Sequence, residues 1–394
     1  MSRNFGGYDI SAQSFFSSLS DHLKIKFSPP SRSSICEARQ KLRWEAFPYL
    51  LNHFNRSVKG SLDKMKWKGH HIYAVDGSML TLSHSSELKK RFPDKDQGRN
   101  KTHYPQARVV LATHLLSGIP KALRIDDQFI GERKLLQSLL CEIEPSSILL
   151  LDRGFDGINS LNKILESQKS FICRLRSELW SSKEVFFFTK SKLKDKIVTL
   201  RNKEKEEITV RLLKYGKDRH GNAIVLATDL FNKEQYSRSE MWSLYLRRWD
   251  VETSYYRVKE LFKIEKFHSR KINGVLQEIW AGLLALGLSS FLIMRSWKSK
   301  IREIAKEKKA PNFKNASEVF RRYFVKLLYS TSIENLRILL EKIAEEIESV
   351  YFLRQIGRKN PRISKQSLST WVGGRKNRPK NRRGRSKVRR GIYA

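Results

Sequence analysis

The chain has 394 residues, enough for two or three domains with a full hydrophobic core. Its 78 Lys and Arg residues outnumber 40 acidic residues, which gives a formal net charge of +38. A charge this large concerns binding partners rather than fold, and the natural partner is a polyanion such as nucleic acid. A basic membrane-surface protein would need an amphipathic basic helix or a lipidation signal, and neither is evident in the sequence.

The cysteines and the apolar segments indicate the compartment. Cys36, Cys141 and Cys173 are far apart and odd in number, which favours a reducing compartment over a disulfide scaffold or a zinc site. The first twenty residues are polar and lack the apolar segment of a signal peptide. The longest uncharged run, residues 279–294, is short for a membrane span and predicts a buried helix. We therefore expect a cytoplasmic protein that does not enter a membrane.

Residues 1–65 are predicted to form a helical N-terminal region that binds DNA. A break at Pro29 and Pro30 separates two short helices, and the second is rich in Lys and Arg. Ser33 or Ser34 could cap this second helix, with Glu37 completing a capping box. A basic helical face that is merely solvated is the alternative interpretation.

Residues 66–169 have the pattern of a mixed α/β sheet. Residues 71–82 are predicted to form a strand, and residues 108–116 and 122–125 form a hairpin around a Ser-Gly turn. A helix is predicted at residues 131–143. The continuous apolar run at residues 146–152 is typical of a strand buried on both faces. A helix at residues 158–168 follows, and this order of elements fits an α/β sheet with carboxylates at strand ends.

The remainder of the chain divides into four segments of different predicted structure. Residues 170–230 are predicted to form a β-rich insertion, with strands at 171–175, 185–189, 197–200, 208–213 and 223–228. Residues 231–300 are mainly helical and complete the core, and residues 301–357 form a helical C-terminal region. The tail, residues 358–394, contains fourteen Lys or Arg and no acid. Such a segment is expected to be disordered alone and to bind nucleic acid.

Two aspartates are candidate metal ligands. Asp76 is predicted to follow a strand, and Asp152 ends the buried apolar run. Each aspartate alone could be a turn residue at a strand end. On adjacent strands, however, the two carboxylates would bring hard oxygen ligands to one point, which suits Mg²⁺ or Mn²⁺.

A third group of candidates lies in residues 245–259. On an α-helix, Tyr245, Arg248, Glu252 and Lys259 share one face, whereas Asp250 points away from Glu252. Glu252 is therefore the better third metal ligand. A charged, solvated helix face with pairs such as Arg248 and Glu252 remains the alternative.

These motifs together resemble a known family. The spacing Tyr-x2-Arg-x3-Glu-x6-Lys resembles the signature of bacterial insertion-sequence transposases of the insertion-sequence-four family. Residues 75–78 (Val-Asp-Gly-Ser) and 151–155 (Leu-Asp-Arg-Gly-Phe) look like the two aspartate motifs of that family. Residues 105–108 and 171–174 also resemble family segments, and the resemblance covers about residues 30–300.

The resemblance implies a ribonuclease H-like catalytic core, interrupted by a β-strand insertion between the second aspartate and the glutamate. It implies a helical N-terminal region that helps to bind transposon ends and a C-terminal region for dimer contacts. The implied function is a DDE transposase that binds double-stranded DNA at the ends of its insertion sequence. Such an enzyme cleaves DNA and transfers strands, and it works as a homodimer on paired ends, in the cytoplasm at the bacterial nucleoid.

The hypothesis for the mechanism is two-metal phosphoryl transfer. The catalytic and metal-binding residues would be Asp76, Asp152 and Glu252, with two Mg²⁺ or Mn²⁺ ions and Asp76 shared between them. Phosphate contacts are assigned to Tyr245, Arg248 and Lys259. Two arginines, Arg153 and Arg174, are further candidates for contact with DNA or with a carboxylate.

Other functions stay open at the level of sequence. A metal-dependent nuclease that only hydrolyses DNA would have the same carboxylates, and an inactive relic of a transposase could bind DNA without cleaving it. A cationic RNA-binding protein would need aromatic motifs on a sheet face, and none is evident. Well-understood members of the family stack a flipped base on a tryptophan of the last insertion strand. Residues 223–228 contain no aromatic residue, and Trp180 is the substitute considered.

Overall fold

The computed structural model describes residues 8–26, 28–93, 104–176, 183–202, 205–218, 220–249, 266–297 and 309–353. Four predictions lie outside these residues: the roles of Glu252, Lys259 and Trp180, and the nature of the basic tail. Everything described below belongs to one compact unit that ends at Leu353.

One eight-stranded mixed sheet runs through the protein, in the order β3-β2-β1-β4-β5-β8-β7-β6. Its strands in chain order are β1 (Ile72–Thr81), β2 (Gln106–His114), β3 (Pro120–Asp127), β4 (Ile148–Leu151), β5 (Ser170–Arg174), β6 (Asp195–Arg201), β7 (Glu207–Lys217) and β8 (Ala223–Thr228). Strands β1, β2 and β3 form an antiparallel meander, and β4 and β5 join it in parallel with β1. This is a ribonuclease H-like arrangement. Strands β8, β7 and β6 extend the sheet beyond β5 in antiparallel fashion.

Helices cover both faces of the sheet. In chain order they are α1 (Tyr8–Leu23), α2 (Arg32–Lys41), α3 (Ala46–Ser57), α4 (Lys59–Asp63), α5 (Ser86–Arg91), α6 (Glu132–Leu139), α7 (Ile158–Glu166), α8 (Lys183–Lys190), α9 (Arg238–Leu246), α10 (Ile272–Trp297), α11 (Phe313–Leu328) and α12 (Ile333–Ser349). Two short strands, β9 (Lys309–Pro311) and β10 (Tyr351–Leu353), pair with each other near the C-terminal helices.

The alternation of side chains along the central strands explains why these strands are apolar throughout. Leu149 and Leu151 pack with α6 and α7 on one face, whereas Ile148 and Leu150 pack with α9 on the other. Successive side chains of a strand point to opposite faces, so a strand covered on both sides has no polar position. The apolar run predicted as a doubly buried strand is confirmed as β4.

The long helix α10 joins the N-terminal and C-terminal helices to the sheet. Its buried residues include Val275, Ile279 and Leu283, spaced by one helical turn, and they share a core with β1, β2, α11 and α12. The helix is long and apolar enough to cross a membrane, but 67% of its most apolar window is buried inside the protein, as in a core helix. The prediction of a buried helix at residues 279–294 is thus confirmed.

The N-terminal helices are fixed to the start of α10 by polar contacts. The Arg39 guanidinium lies 2.9 Å from a carboxylate oxygen of Glu278, whose side chain is buried. Gln277 donates to the carbonyl of Arg39 at 2.8 Å, and the backbone N–H of Trp44 donates to Asn273 at 2.9 Å. These contacts hold α2 and α3 against the core.

Several local predictions were wrong. The cap of α2 is Ser31, whose hydroxyl accepts from the N–H of Ser34, so the helix starts earlier than the Ser33 or Ser34 cap predicted. Residues 185–189 form helix α8 rather than a strand. Val and Phe favour strands, but burying Val185 and Phe188 on one side requires the helical spacing of three. The C-terminal helical prediction extends too far, since residues 351–353 form β10.

Candidate active site

The register of β1 and β4 places the two candidate aspartates side by side. These strands are parallel, with Val75 opposite Leu151. Asp76 and Asp152 each follow one member of that pair, so their backbones are neighbours. The strand predicted at residues 71–82 is confirmed as β1. Asp76 was expected to follow a strand, and that expectation was wrong, because Asp76 lies within β1 and pairs with Leu111 of β2. Because β1 is paired with β2 on both sides of Asp76, the backbone position of Asp76 is restricted.

Asp152 is held in place by the turn that follows β4. Its Oδ1 accepts from the N–H of Gly154 at 2.7 Å, an Asx-type contact that leaves the second carboxylate oxygen for other partners. The thiol of Cys173 on β5 lies 3.6 Å from the Asp152 carbonyl, and burial raises the pKa of this thiol well above its usual value. Cys173 is thus a neutral packing group beside the site.

Arg248 lies beside the two aspartates. It belongs to a 3-10 turn, Arg247–Trp249, that continues α9, so the α-helix assumed for residues 245–259 tightens at this point. Arg248 is 6% exposed, and its Nη1 lies 4.0 Å from Oδ1 of Asp76. Burial works to lower the pKa of Arg248, but Tyr245, Asp152 and Asp76 more than compensate and raise it. The guanidinium therefore stays charged and balances the carboxylates.

A row of stacked aromatic rings leads to Arg248 from β7. The guanidinium lies 5.9 Å from the ring centre of Tyr245, which stacks on Trp242 at 6.2 Å. Trp242 in turn stacks on Tyr215 of β7 at 4.5 Å. Tyr245 is 4% exposed, and burial raises its pKa. Tyr245 thus supports Arg248 from inside the protein, and its predicted contact with phosphate remains a prediction.

Glu132, which the sequence did not single out, is a third carboxylate at this place. It begins α6, and its carboxyl group packs on the α-carbon of Gly77: a Cβ there would lie 2.4 Å from the carboxyl carbon. A Cβ at Gly154 would lie 2.9 Å from Asp152 Oδ1 and 3.3 Å from Glu132 Oε2. Gly77, directly after Asp76, and Gly154, two residues after Asp152, therefore leave room for Glu132, and those glycines were the signal in the sequence.

Charges around Glu132 act in opposite directions. Burial raises its pKa and so does Asp152, whereas Arg108 of β2 lowers it; the net effect is a raised pKa. Arg108 Nη1 lies 3.7 Å from Glu132 Oε1, and the buried Nε of Arg108 has no hydrogen-bond partner within the described residues. The site thus combines carboxylates with two partly enclosed guanidinium groups, Arg108 and Arg248.

Arg153 and Arg174, the further candidates for contact with DNA or with a carboxylate, differ in their surroundings. Arg153 is exposed in the turn after Asp152. Arg174 ends β5 and donates to Asp218 at 2.9 Å, so it contacts a carboxylate of the insertion. DNA contact by either residue stays a prediction.

The donors present suit a hard divalent cation. Carboxylate oxygens are the ligands that Mg²⁺ and Mn²⁺ prefer. Asp76 and Asp152 supply them from rigid backbone, and Glu132 lies beside them. Within the described ranges, no group of three acidic, His or Cys side chains is arranged to hold a metal ion. The predicted third ligand, Glu252, lies outside those ranges.

Comparison with known proteins assigns the family. The family model described as "Transposase DDE domain" matches residues 67–288, more than half of the chain, so the chain belongs to this family of transposase domains. The chain is 24% identical over 273 residues to the transposase InsG of insertion sequence element IS4 from Escherichia coli (strain K12). That match covers 67% of this chain and 61% of the relative. A cryo-EM structure of the piggyBac transposase synaptic complex with hairpin DNA matches with a TM-score of 0.39 and 13% identity, covering 69% of this chain and 57% of that one.

Proposed function

We propose that this protein is the transposase of an insertion sequence, which cleaves DNA at the ends of its element and joins those ends to target DNA. The observation that carries the proposal is the parallel register of Val75 and Leu151, which makes Asp76 and Asp152 neighbours in a chain of the transposase DDE family. Glu252 would complete the carboxylate set. A metal-dependent nuclease would share these carboxylates, so strand transfer is the defining activity.

The residues that would hold the divalent metal are Asp76, Asp152 and Glu252. Bound there, two ions of Mg²⁺ or Mn²⁺ would activate the attacking oxygen and stabilise the leaving oxygen. The chain itself supplies position and charge. The backbone of Asp76 is fixed because β1 pairs with β2 both before and after this residue. Arg248, held against the Tyr245 ring, would offer a fixed positive charge to the reacting phosphate.

The reaction has two chemically similar steps. In the first, a water oxygen bonds to phosphorus and the 3′ oxygen at the element end leaves as a hydroxyl. In the second, that 3′ hydroxyl attacks a phosphodiester of the target and displaces the 3′ oxygen of the target strand. Arg248 and Lys259 are assigned to the phosphate that reacts, and such contacts set the position of the DNA rather than read its sequence.

Other regions of the chain are proposed to provide specificity and assembly. Residues 1–65 would bind element ends, since α2 carries basic residues and is fixed to the core through Arg39. The C-terminal helices would contribute to a homodimer on paired ends. The net charge of +38 supports binding to DNA, with an affinity that falls steeply as salt rises.

The test is metal-dependent cleavage and joining. Labelled double-stranded DNA that flanks the gene is incubated with the protein, a target plasmid and Mg²⁺, Mn²⁺ or EDTA. Wild-type protein is expected to nick at the element ends and to join them to the plasmid only with metal. Asp152→Asn and Glu252→Gln are expected to lose both products while still binding DNA.

A matched control is Glu166→Gln, which changes the same kind of group at the surface of α7, where it pairs with Lys163. This variant should cleave as wild type does. Nicking without joining would identify a nuclease, and binding without nicking in any metal would identify an inactive relic. Cleavage that survives both active-site substitutions would mean that the reaction occurs elsewhere.

A further inference from the structure

A basic cavity lies at the far edge of the sheet, away from the carboxylates. Its volume is about 410 Å³, and its walls come from the segment after α8, from β7 and from α9. The lining residues are Lys192, Lys194, Lys214, Tyr215, Gly216, Arg238 and Trp242. Four of the seven are cationic and none is acidic, so the described lining carries only positive charge.

Two of the four cations build the wall of the cavity. The Lys214 ammonium donates to the carbonyls of Phe188 at 3.1 Å and Thr189 at 3.3 Å, which satisfies the last turn of α8. Arg238 donates to the carbonyl of Lys214 at 2.9 Å and lies over the ring of Tyr215. These contacts fix the geometry of the cavity without neutralising either charge.

The other two cations are available to a ligand. Lys192 and Lys194 are exposed, and no ion pair joins either ammonium to an acid in the part of the chain that the structure describes. The nearest acid in sequence, Asp195, is already bound by Arg211 at 2.7 Å. The ammonium groups of Lys192 and Lys194 therefore lie at a preformed wall without an acidic partner among the described residues.

The aromatic residues of the cavity indicate which part of a nucleic acid would bind. Tyr215 has Arg238 over its ring at 5.3 Å and Trp242 stacked on it at 4.5 Å. Trp242 is also stacked on Tyr245. Binding of an unstacked base needs a free aromatic face, and these faces are occupied. The cavity therefore suits a phosphate and not a base.

We propose that this cavity binds a backbone phosphate of the element-end DNA, with Lys192 and Lys194 as the ligands that contact it. This inference rests on the proposed function, because the DNA is the substrate of the transposase. The stacked row of Tyr215, Trp242 and Tyr245 connects the cavity wall to Arg248 in steps of at most 6.2 Å, and Arg248 lies 4.0 Å from Asp76. A phosphate held in the cavity would therefore lie within about one helical turn, roughly 34 Å, of the cleaved bond.

The test compares the phosphates that the protein contacts. Full-length wild-type protein and the double variant Lys192→Gln/Lys194→Gln are bound to end DNA that carries randomly ethylated phosphates. Ethylation of contacted phosphates blocks wild-type binding. The double variant should lose interference at one or two phosphates, all within about ten base pairs of the cleavage site. The slope of log affinity against log salt should fall by about 2, since each lysine contributes about 1.

The control is Lys90→Gln/Lys163→Gln, which removes the same charge from exposed positions on α5 and α7. It should keep the interference pattern near the cleavage site. An unchanged pattern in the cavity variant, or an equal loss in the control, would overturn the inference. Wild-type protein that fails to cut this DNA would instead refute the proposed function, so the two failures can be told apart.

Discussion

His114 should make the fold sensitive to mild acid. It ends β2 and is 1% exposed, with Nε2 at 3.4 Å from Nδ1 of His71 and Nδ1 at 2.9 Å from the Ser117 hydroxyl. Burial lowers the pKa of His114 to about 4; the charges of His71 and Lys121 also lower it, whereas Glu144 raises it. The neutral imidazole is therefore the form that the folded protein accommodates.

The size of the expected loss of stability follows from the pKa of His114 in the unfolded chain and in the folded protein. In the unfolded chain a histidine has a pKa near 6.5, so the unfolded state binds the proton more tightly than the folded state. Stability is lost as the pH falls from about 6.5 to about 4, and the full loss is about 3 kcal/mol. At pH 5 about 2 kcal/mol should already be lost relative to pH 7.

The assay is urea unfolding followed by tryptophan fluorescence at pH 7, 6 and 5. The variant His114→Asn has no group that titrates in this range and should lose about 2 kcal/mol less than wild type between pH 7 and pH 5. His53→Asn, at an exposed position on α3, is the control and should follow wild type. If His114→Asn and wild type lose stability in parallel, the burial argument for this imidazole is refuted.

Two further predictions concern acids near the candidate site. Burial and the charge of Asp152 raise the pKa of Glu132, so the charged form is disfavoured in the fold. Glu132→Gln should raise the free energy of unfolding at pH 7 by less than about 1 kcal/mol while slowing DNA cleavage, and unchanged cleavage would assign Glu132 to packing alone. Asp156 is 2% exposed and accepts from two arginines, so Asp156→Asn should cost about 3 kcal/mol in urea unfolding; a cost as small as that of the surface change Glu166→Gln would contradict this.

The sequence by itself determined the classes of element and the main chemical candidates. The uniform apolar run before Asp152 identified a strand covered on both faces, and the uncharged run at residues 279–294 identified the core helix α10. Both predictions succeed because a largely buried segment excludes charged side chains, a constraint that acts on each residue separately. The three scattered cysteines were expected to be unpaired, and all three are free.

The local sequence pattern did not predict the structure correctly where contacts with other segments favoured one conformation over another. The run at residues 185–189 has the composition of a strand, yet it forms α8 because Val185 and Phe188 must face the same core. Asp76 was expected after a strand, yet it lies within β1 because β2 pairs with β1 as far as Thr81. Contacts with segments that are distant in sequence decided both outcomes.

In the candidate site, too, the sequence indicated some residues, whereas tertiary contacts determined which of them lie together. Asp76, Asp152 and Arg248 could be chosen from their motifs, but their proximity depends on the register of β1 with β4 and on the packing of α9. Glu132 had only two glycines as its signal, because the space they leave is filled by a residue from another element. The basic cavity unites residues from three separate segments, and each looks like an ordinary solvated lysine or a packed aromatic alone. Periodicity acts along the chain, whereas a site is a contact between segments, so only the tertiary structure could assemble it.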